Sequence, residues 1–111
     1  SRPLIYTIEQ LQNLIRPVAE KYQIPAIYLF GSYARGTASE TSDVDLLVDT
    51  TGTALKSLFS LGALYCDLEE VLQKRVDLIT FNSLQQRTQM PSEQDFRQTV
   101  MNERIKLYAV A

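Results

Sequence analysis

Leu29-Phe30-Gly31-Ser32-Tyr33-Ala34-Arg35-Gly36-Thr37-Ala38-Ser39-Glu40-Thr41-Ser42-Asp43-Val44-Asp45-Leu46-Leu47-Val48 is the stretch on which the fold turns. Its first residues close an apolar run, Ala26-Ile27-Tyr28-Leu29-Phe30, which reads as a buried strand opened by Pro25. Its last five, Val44 to Val48, form a second strand-like run flanked by Asp43 and Asp49. The segment between them is polar and lacks apolar periodicity, and Gly31-Ser32 predicts a tight turn into a short helix. Strand side chains alternate with a period of two, so Asp43 and Asp45 share a face. Two carboxylates side by side repel each other, and a divalent cation between them resolves the conflict. Gly31 lets backbone approach a ligand closely, N–H groups at such a turn attract phosphate, and the Ser32 hydroxyl adds a hydrogen bond. Arg35 either helps to neutralise a triphosphate or forms a surface ion pair with Glu40. Together these residues describe a phosphate-binding turn beside a metal-binding strand, the layout of a Mg²⁺–nucleotide site.

Working outward, residues 7–22 predict a helix, with Ile8, Leu11, Leu14, Ile15, Val18 and Tyr22 on one face. Thr7 and Gln10 have capping-box spacing at its start, and Pro17 is expected to kink or divide it. Residues 53–73 read as helical, either as one helix or as two that meet at Gly62. On this segment Cys66 is expected in the core, and so are Leu58, Phe59, Tyr65 and Leu68, with a partner interface as the alternative for some of these four. Lys74 to Phe81 suggests a third strand, residues 93–104 a last helix capped by Ser92 with Asp95, and Ile105 to Val110 a closing strand. The fold class is therefore α/β of the α+β type, a small mixed central sheet flanked by helices. Residues 1–111 are expected to form one domain, since domains run about 100–150 residues. The third strand carries Asp77 in Arg75-Val76-Asp77-Leu78-Ile79-Thr80. A neighbouring strand can set it beside Asp45, giving a third carboxylate for a two-metal site and an acceptor for a hydroxyl proton.

Composition excludes other chemistries. The 111 residues include no histidine and a single cysteine, which removes Ser-His-Asp and Cys-His catalysis, a His/Cys zinc site and an internal disulfide. Any metal must be held by oxygen, which favours Mg²⁺, Mn²⁺ or Ca²⁺. Eleven Lys and Arg against thirteen Asp and Glu give a net charge of −2, with basic residues scattered, so nucleic acid is not expected as a direct ligand. The apolar runs are too short to span a membrane and no leader pattern opens the chain, which gives a cytoplasmic expectation.

Gly31-Ser32, ten residues, then Asp43-Val44-Asp45 resembles the signature of the nucleotidyltransferase superfamily that includes DNA polymerase beta. Arg35-Gly36, Ser42, Leu46-Leu47-Val48 and Leu68-Glu69-Glu70-Val71-Leu72 leading to Val76-Asp77-Leu78-Ile79 are similar to its minimal nucleotidyltransferase (MNT) branch. The resemblance covers roughly residues 5–108. It implies ATP as co-substrate, with Gly31 and Ser32 on the triphosphate. It also implies two Mg²⁺ ions, or Mn²⁺, with Asp43 and Asp45 on both and Asp77 on one. Many members of that branch are antitoxins paired with a HEPN-domain ribonuclease toxin, and some transfer AMP onto a toxin tyrosine. The expected activity is that transfer. The alternative is a non-catalytic antitoxin that neutralises its toxin by stoichiometric binding.

Overall fold

A computed structural model describes residues 4–86 and 90–110; residues 1–3, 87–89 and 111 of the expected domain lie outside the described part. The elements run α1 (Ile8–Lys21), β1 (Ala26–Phe30), α2 (Gly31–Arg35), β2 (Val44–Asp49), α3 (Leu58–Leu72), β3 (Val76–Thr80), α4 (Phe81–Gln86), α5 (Pro91–Glu103) and β4 (Ile105–Ala109). The four strands form one sheet in the order β3-β2-β1-β4. β1 is antiparallel to both β2 and β4, and β2 is parallel to β3, so the sheet is mixed as expected.

Strand alternation sorts the side chains onto two faces. Ile27, Leu29, Val44, Leu46 and Val48 join Leu11, Ile15 and Val18 of α1 and Leu64, Leu68 and Leu72 of α3 in the larger core. Phe30, Leu47 and Ile79 point the other way, packing with Leu84 of α4 and Val100 of α5. The second face is the one that matters for chemistry, because Asp45 precedes Leu47 by two residues and Asp77 precedes Ile79 by two. Both carboxylates therefore sit on the α4/α5 side of the sheet.

The capping box of α1 forms as its spacing dictates: Gln10 N–H donates to Thr7 Oγ1 at 3.1 Å and Thr7 N–H to Gln10 Oε1 at 2.9 Å. Pro17 does not divide the helix. It cannot donate to the carbonyl of Asn13, but Asn13 and Pro17 are both exposed, so water can take the freed carbonyl. The third helical segment starts later than expected, at Leu58, with Ser57 as its cap, and runs through Gly62 unbroken. Residues 53–55 instead make a capped turn, in which the buried Thr53 hydroxyl donates to Thr50 O at 2.7 Å. α4 carries no counterpart in the sequence reading. The expected Ser92 cap of α5 is also absent; Met90 occupies the cap position and Pro91 starts the helix, where its missing N–H costs nothing.

Four residues expected in the core on α3 are elsewhere. Leu58 is 88% exposed, Phe59 93% and Tyr65 37%, and Cys66 lies at the surface. The helix is apolar nearly all round over residues 58–66, so periodicity could not tell which face the sheet would cover. Only Leu64, Leu68 and Leu72 are fully buried.

Candidate active site

Sheet register builds the site. Phe30 of β1 pairs with Asp45 of β2, and Asp45 pairs with Asp77 of β3. One row across three strands thus carries the residue before the Gly31-Ser32 turn and two carboxylates. The row is fixed by the strand pairing around it, including Val44 N–H to Arg75 O at 2.9 Å. Val76 N–H also donates to Glu69 Oε2 of α3 at 2.9 Å, which ties the start of β3 in place. Asp43 lies one residue before β2, exposed, and adds a third carboxylate within electrostatic reach.

Gly31 stands at φ +72°, in the left-handed region. A Cβ there would lie inside the Asp45 carboxyl group, with Cγ at 2.9 Å. Two separate demands, backbone conformation and close approach, therefore make this position a glycine. The turn and the carboxylate strand touch, so a phosphate held by one lies beside the other. Ser32 is half-buried, and its carbonyl accepts from Thr37 N–H at 2.9 Å while no hydrogen bond to a described residue engages its hydroxyl. Gly36 at φ +76° ends α2 in the manner of a left-handed helix cap.

The electrostatics follow from this crowding. Burial pushes the Asp45 carboxyl up to about 6, and the neighbouring Asp77 and Asp43 charges push in the same direction. Arg35 acts the other way, and Glu103 adds to the upward push. Among the described residues no three Asp, Glu or Cys side chains are drawn into a ready-made metal cage. The donor chemistry nonetheless fits a hard divalent cation: the candidate ligands are carboxylate oxygens alone, and their mutual repulsion on Asp45 is relieved by positive charge.

Arg35 is not paired with Glu40. Its Nη1 donates to Glu103 Oε2 at 3.2 Å and Oε1 at 3.3 Å, and the same Oε1 accepts from Gly31 N–H at 2.8 Å.

With this geometry in view, comparison with known proteins is decisive. The family model of the nucleotidyltransferase domain matches residues 11–107. The chain belongs to the nucleotidyltransferase domain family. A Methanocaldococcus jannaschii protein named "Putative protein adenylyltransferase" is 44% identical to this nucleotidyltransferase over 77 residues, which cover 69% of the chain and 81% of the relative. Protein adenylyltransferase MntA of Thermococcus cleftensis is 38% identical over 82 residues, 70% of the chain and 81% of the relative. A crystal structure of a toxin–antitoxin with AMP-PNP superposes with a TM-score of 0.67 at 26% identity, over 89% of this chain and 73% of that one. The complex of a tri-AMPylated Shewanella oneidensis HEPN toxin with its MNT antitoxin shares the fold, with a TM-score of 0.62 at 21% identity over 94% of this chain and 74% of that one.

The nucleotidyltransferase structure sets Gly31 against Asp45 and Asp45 in register with Asp77, with Asp43 and Arg35 within electrostatic reach of Asp45 and Ser32 next to Gly31 in the turn. Glu103, at the end of α5, is the site neighbour that sequence reading missed. Its one sign in the sequence is a carboxylate in the last turn of a helix, where the helix dipole disfavours negative charge and a compensating partner is called for.

Proposed function

We propose that this nucleotidyltransferase moves AMP from ATP onto a hydroxyl of a partner protein, a tyrosine of a HEPN-type ribonuclease toxin, and so acts as its antitoxin. The observation that carries the reading is the row Phe30–Asp45–Asp77, which sets the phosphate-binding turn against the carboxylates. The names of the adenylyltransferase relatives and the toxin–antitoxin neighbour support the acceptor class. The incoming hydroxyl oxygen bonds to the α-phosphorus, the bond from that phosphorus to the bridging oxygen breaks, and pyrophosphate leaves opposite. Gly31 and Ser32 hold the triphosphate, Arg35 offsets its charge, and Asp77 accepts the hydroxyl proton. When bound, Mg²⁺ would be held by Asp43, Asp45 and Asp77, two ions as the resemblance implies, and would neutralise charge on the phosphates. The chain's own contribution is positioning and fixed electrostatics.

The test is intact-mass spectrometry of the neighbouring gene's product after incubation with this protein, ATP and Mg²⁺. AMP-sized increments, lost in an Asp43→Asn/Asp45→Asn variant that stays folded, support the reading. Neutralisation of toxicity with no increment overturns it.

One observation favours a second reading, stoichiometric masking of the toxin: the exposed apolar start of α3, with Leu58 and Phe59 in solvent. A complex that neutralises equally well with neither ATP nor metal decides for it.

A further inference from the structure

We infer that Glu103 is a positioning residue for nucleotide binding, a clasp that holds both ends of the phosphate-binding turn. The inference rests on the adenylyl-transfer reading above. One carboxylate reaches residue 31 at the start of α2 and residue 35 at its end: Gly31 N–H donates to Oε1 at 2.8 Å, and Arg35 Nη1 donates to both oxygens at 3.2 and 3.3 Å. The two partners are among the residues that the reading places on the triphosphate.

Three features argue that this contact is more than a surface ion pair. The Glu103 side chain is only 17% exposed, whereas an incidental partner for Arg35 would lie in solvent. Glu103 is also the last residue of α5, where a negative charge meets the negative end of the helix dipole, so its placement depends on the donors it meets. Finally, Gly31 is wedged against Asp45 in a left-handed conformation, and the bond from its N–H fixes which way that peptide faces. α2 is a single short turn of five residues and cannot hold its own shape by internal hydrogen bonds. Glu103 supplies that order from a longer helix anchored in the second core through Val100.

The clasp leaves Arg35 half-exposed, at 52%, with only Nη1 engaged by Glu103, so Nε and Nη2 can reach a phosphate. Glu103 therefore aims the guanidinium rather than consuming it, and since it takes the Gly31 N–H, Gly31 serves the triphosphate by letting the backbone approach closely rather than by donating. Its negative charge stands near the triphosphate path, which is the cost of the arrangement; the gain is a turn that needs no ordering when nucleotide arrives.

The experiment measures ATP affinity with Mg²⁺ by titration calorimetry, together with KM and kcat for transfer, in the wild type, Glu103→Gln and Glu103→Ala. Glutamine keeps an acceptor for Gly31 N–H but loses the charge that holds Arg35. Glu103→Ala is expected to weaken ATP binding about tenfold and raise KM in parallel, with Glu103→Gln recovering about half of that loss on a logarithmic scale. Thermal melting without nucleotide is the control, and it is expected to shift little, because removing a charge that repels Asp45 offsets the lost contacts. Unchanged or tighter ATP binding in Glu103→Ala, with the wild type binding normally, overturns the clasp alone. Weak binding that follows a large loss of melting temperature, with no recovery by glutamine, also overturns it. Failure of the wild type itself to bind ATP overturns the adenylyl-transfer reading and the clasp with it.

Discussion

Asp45 and Asp77 face each other in register across the parallel strands β2 and β3, with β1 placing the Gly31 turn on the other side of Asp45. A half-buried carboxyl between other carboxyls binds its proton more tightly folded than unfolded. Burial first, then Asp77 and Asp43, raise Asp45 from an ordinary 3.8 to about 6. The stabilising effect of that proton is full below pH 4 and is lost as pH rises through 6. In metal-free buffer the wild type should lose on the order of 1 kcal/mol between these values, a figure already reduced for solvent screening at a half-exposed group. Asp45→Asn removes the loss, so it should be more stable than the wild type at pH 7 and inactive. Urea unfolding from pH 4 to 7 checks the first half; equal pH slopes for the two proteins would sink it.

The same crowding makes position 31 intolerant of any side chain. Gly31→Ala demands a left-handed alanine, costing roughly 1–2 kcal/mol, and also displaces the Asp45 carboxyl. Gly36→Ala has the same backbone demand but open space around the added carbon. Thermal melting should therefore fall further for Gly31→Ala, and only that variant should lose nucleotide affinity. Equal losses at the two positions would show that contact with Asp45 is unimportant.

Residues 26–48 made this geometry legible, because each unit is local. An apolar run, a Gly-Ser turn and an Asp-x-Asp pair each declare themselves within a few residues, and alternation alone puts Asp45 and Leu47 on one face. Asp77 was legible for the same reason, as a carboxylate at the head of a strand. Glu103 was not, since it lies 72 positions from Gly31 and is brought there by the packing of α5 on the sheet. Leu58 and Phe59 misled for a related reason. Apolar character reports a tendency to leave water, and at the start of α3 no element among the described residues takes them up.

That exposure gives a prediction that separates masking from catalysis. Leu58→Glu/Phe59→Glu removes an apolar patch without touching the core, and acidic residues suit the first turn of a helix. Its stability should stay within about 0.5 kcal/mol of the wild type. Complex formation with the proposed toxin partner should weaken if this surface docks it, which size-exclusion chromatography of the mixed proteins reads directly. An intact complex would remove the one observation that favours neutralisation by binding.

Two tyrosines in the larger core should respond oppositely to loss of their hydroxyls. Tyr6 Oη donates to the buried carbonyl of Leu72 at 2.7 Å, tying the chain before α1 to the end of α3. Tyr33 Oη, on the outgoing side of the Gly31-Ser32 turn, is buried with no partner among the described residues. A buried hydroxyl without an acceptor carries its desolvation cost and returns nothing, whereas a paired one leaves a stranded carbonyl when removed. Tyr6→Phe should therefore cost about 1–2 kcal/mol, and Tyr33→Phe should be neutral or stabilising by up to about 1 kcal/mol. Chemical denaturation of the two variants tests the contrast. A marked loss in Tyr33→Phe would mean that an ordered water completes that hydroxyl, and that the turn's packing rests on it.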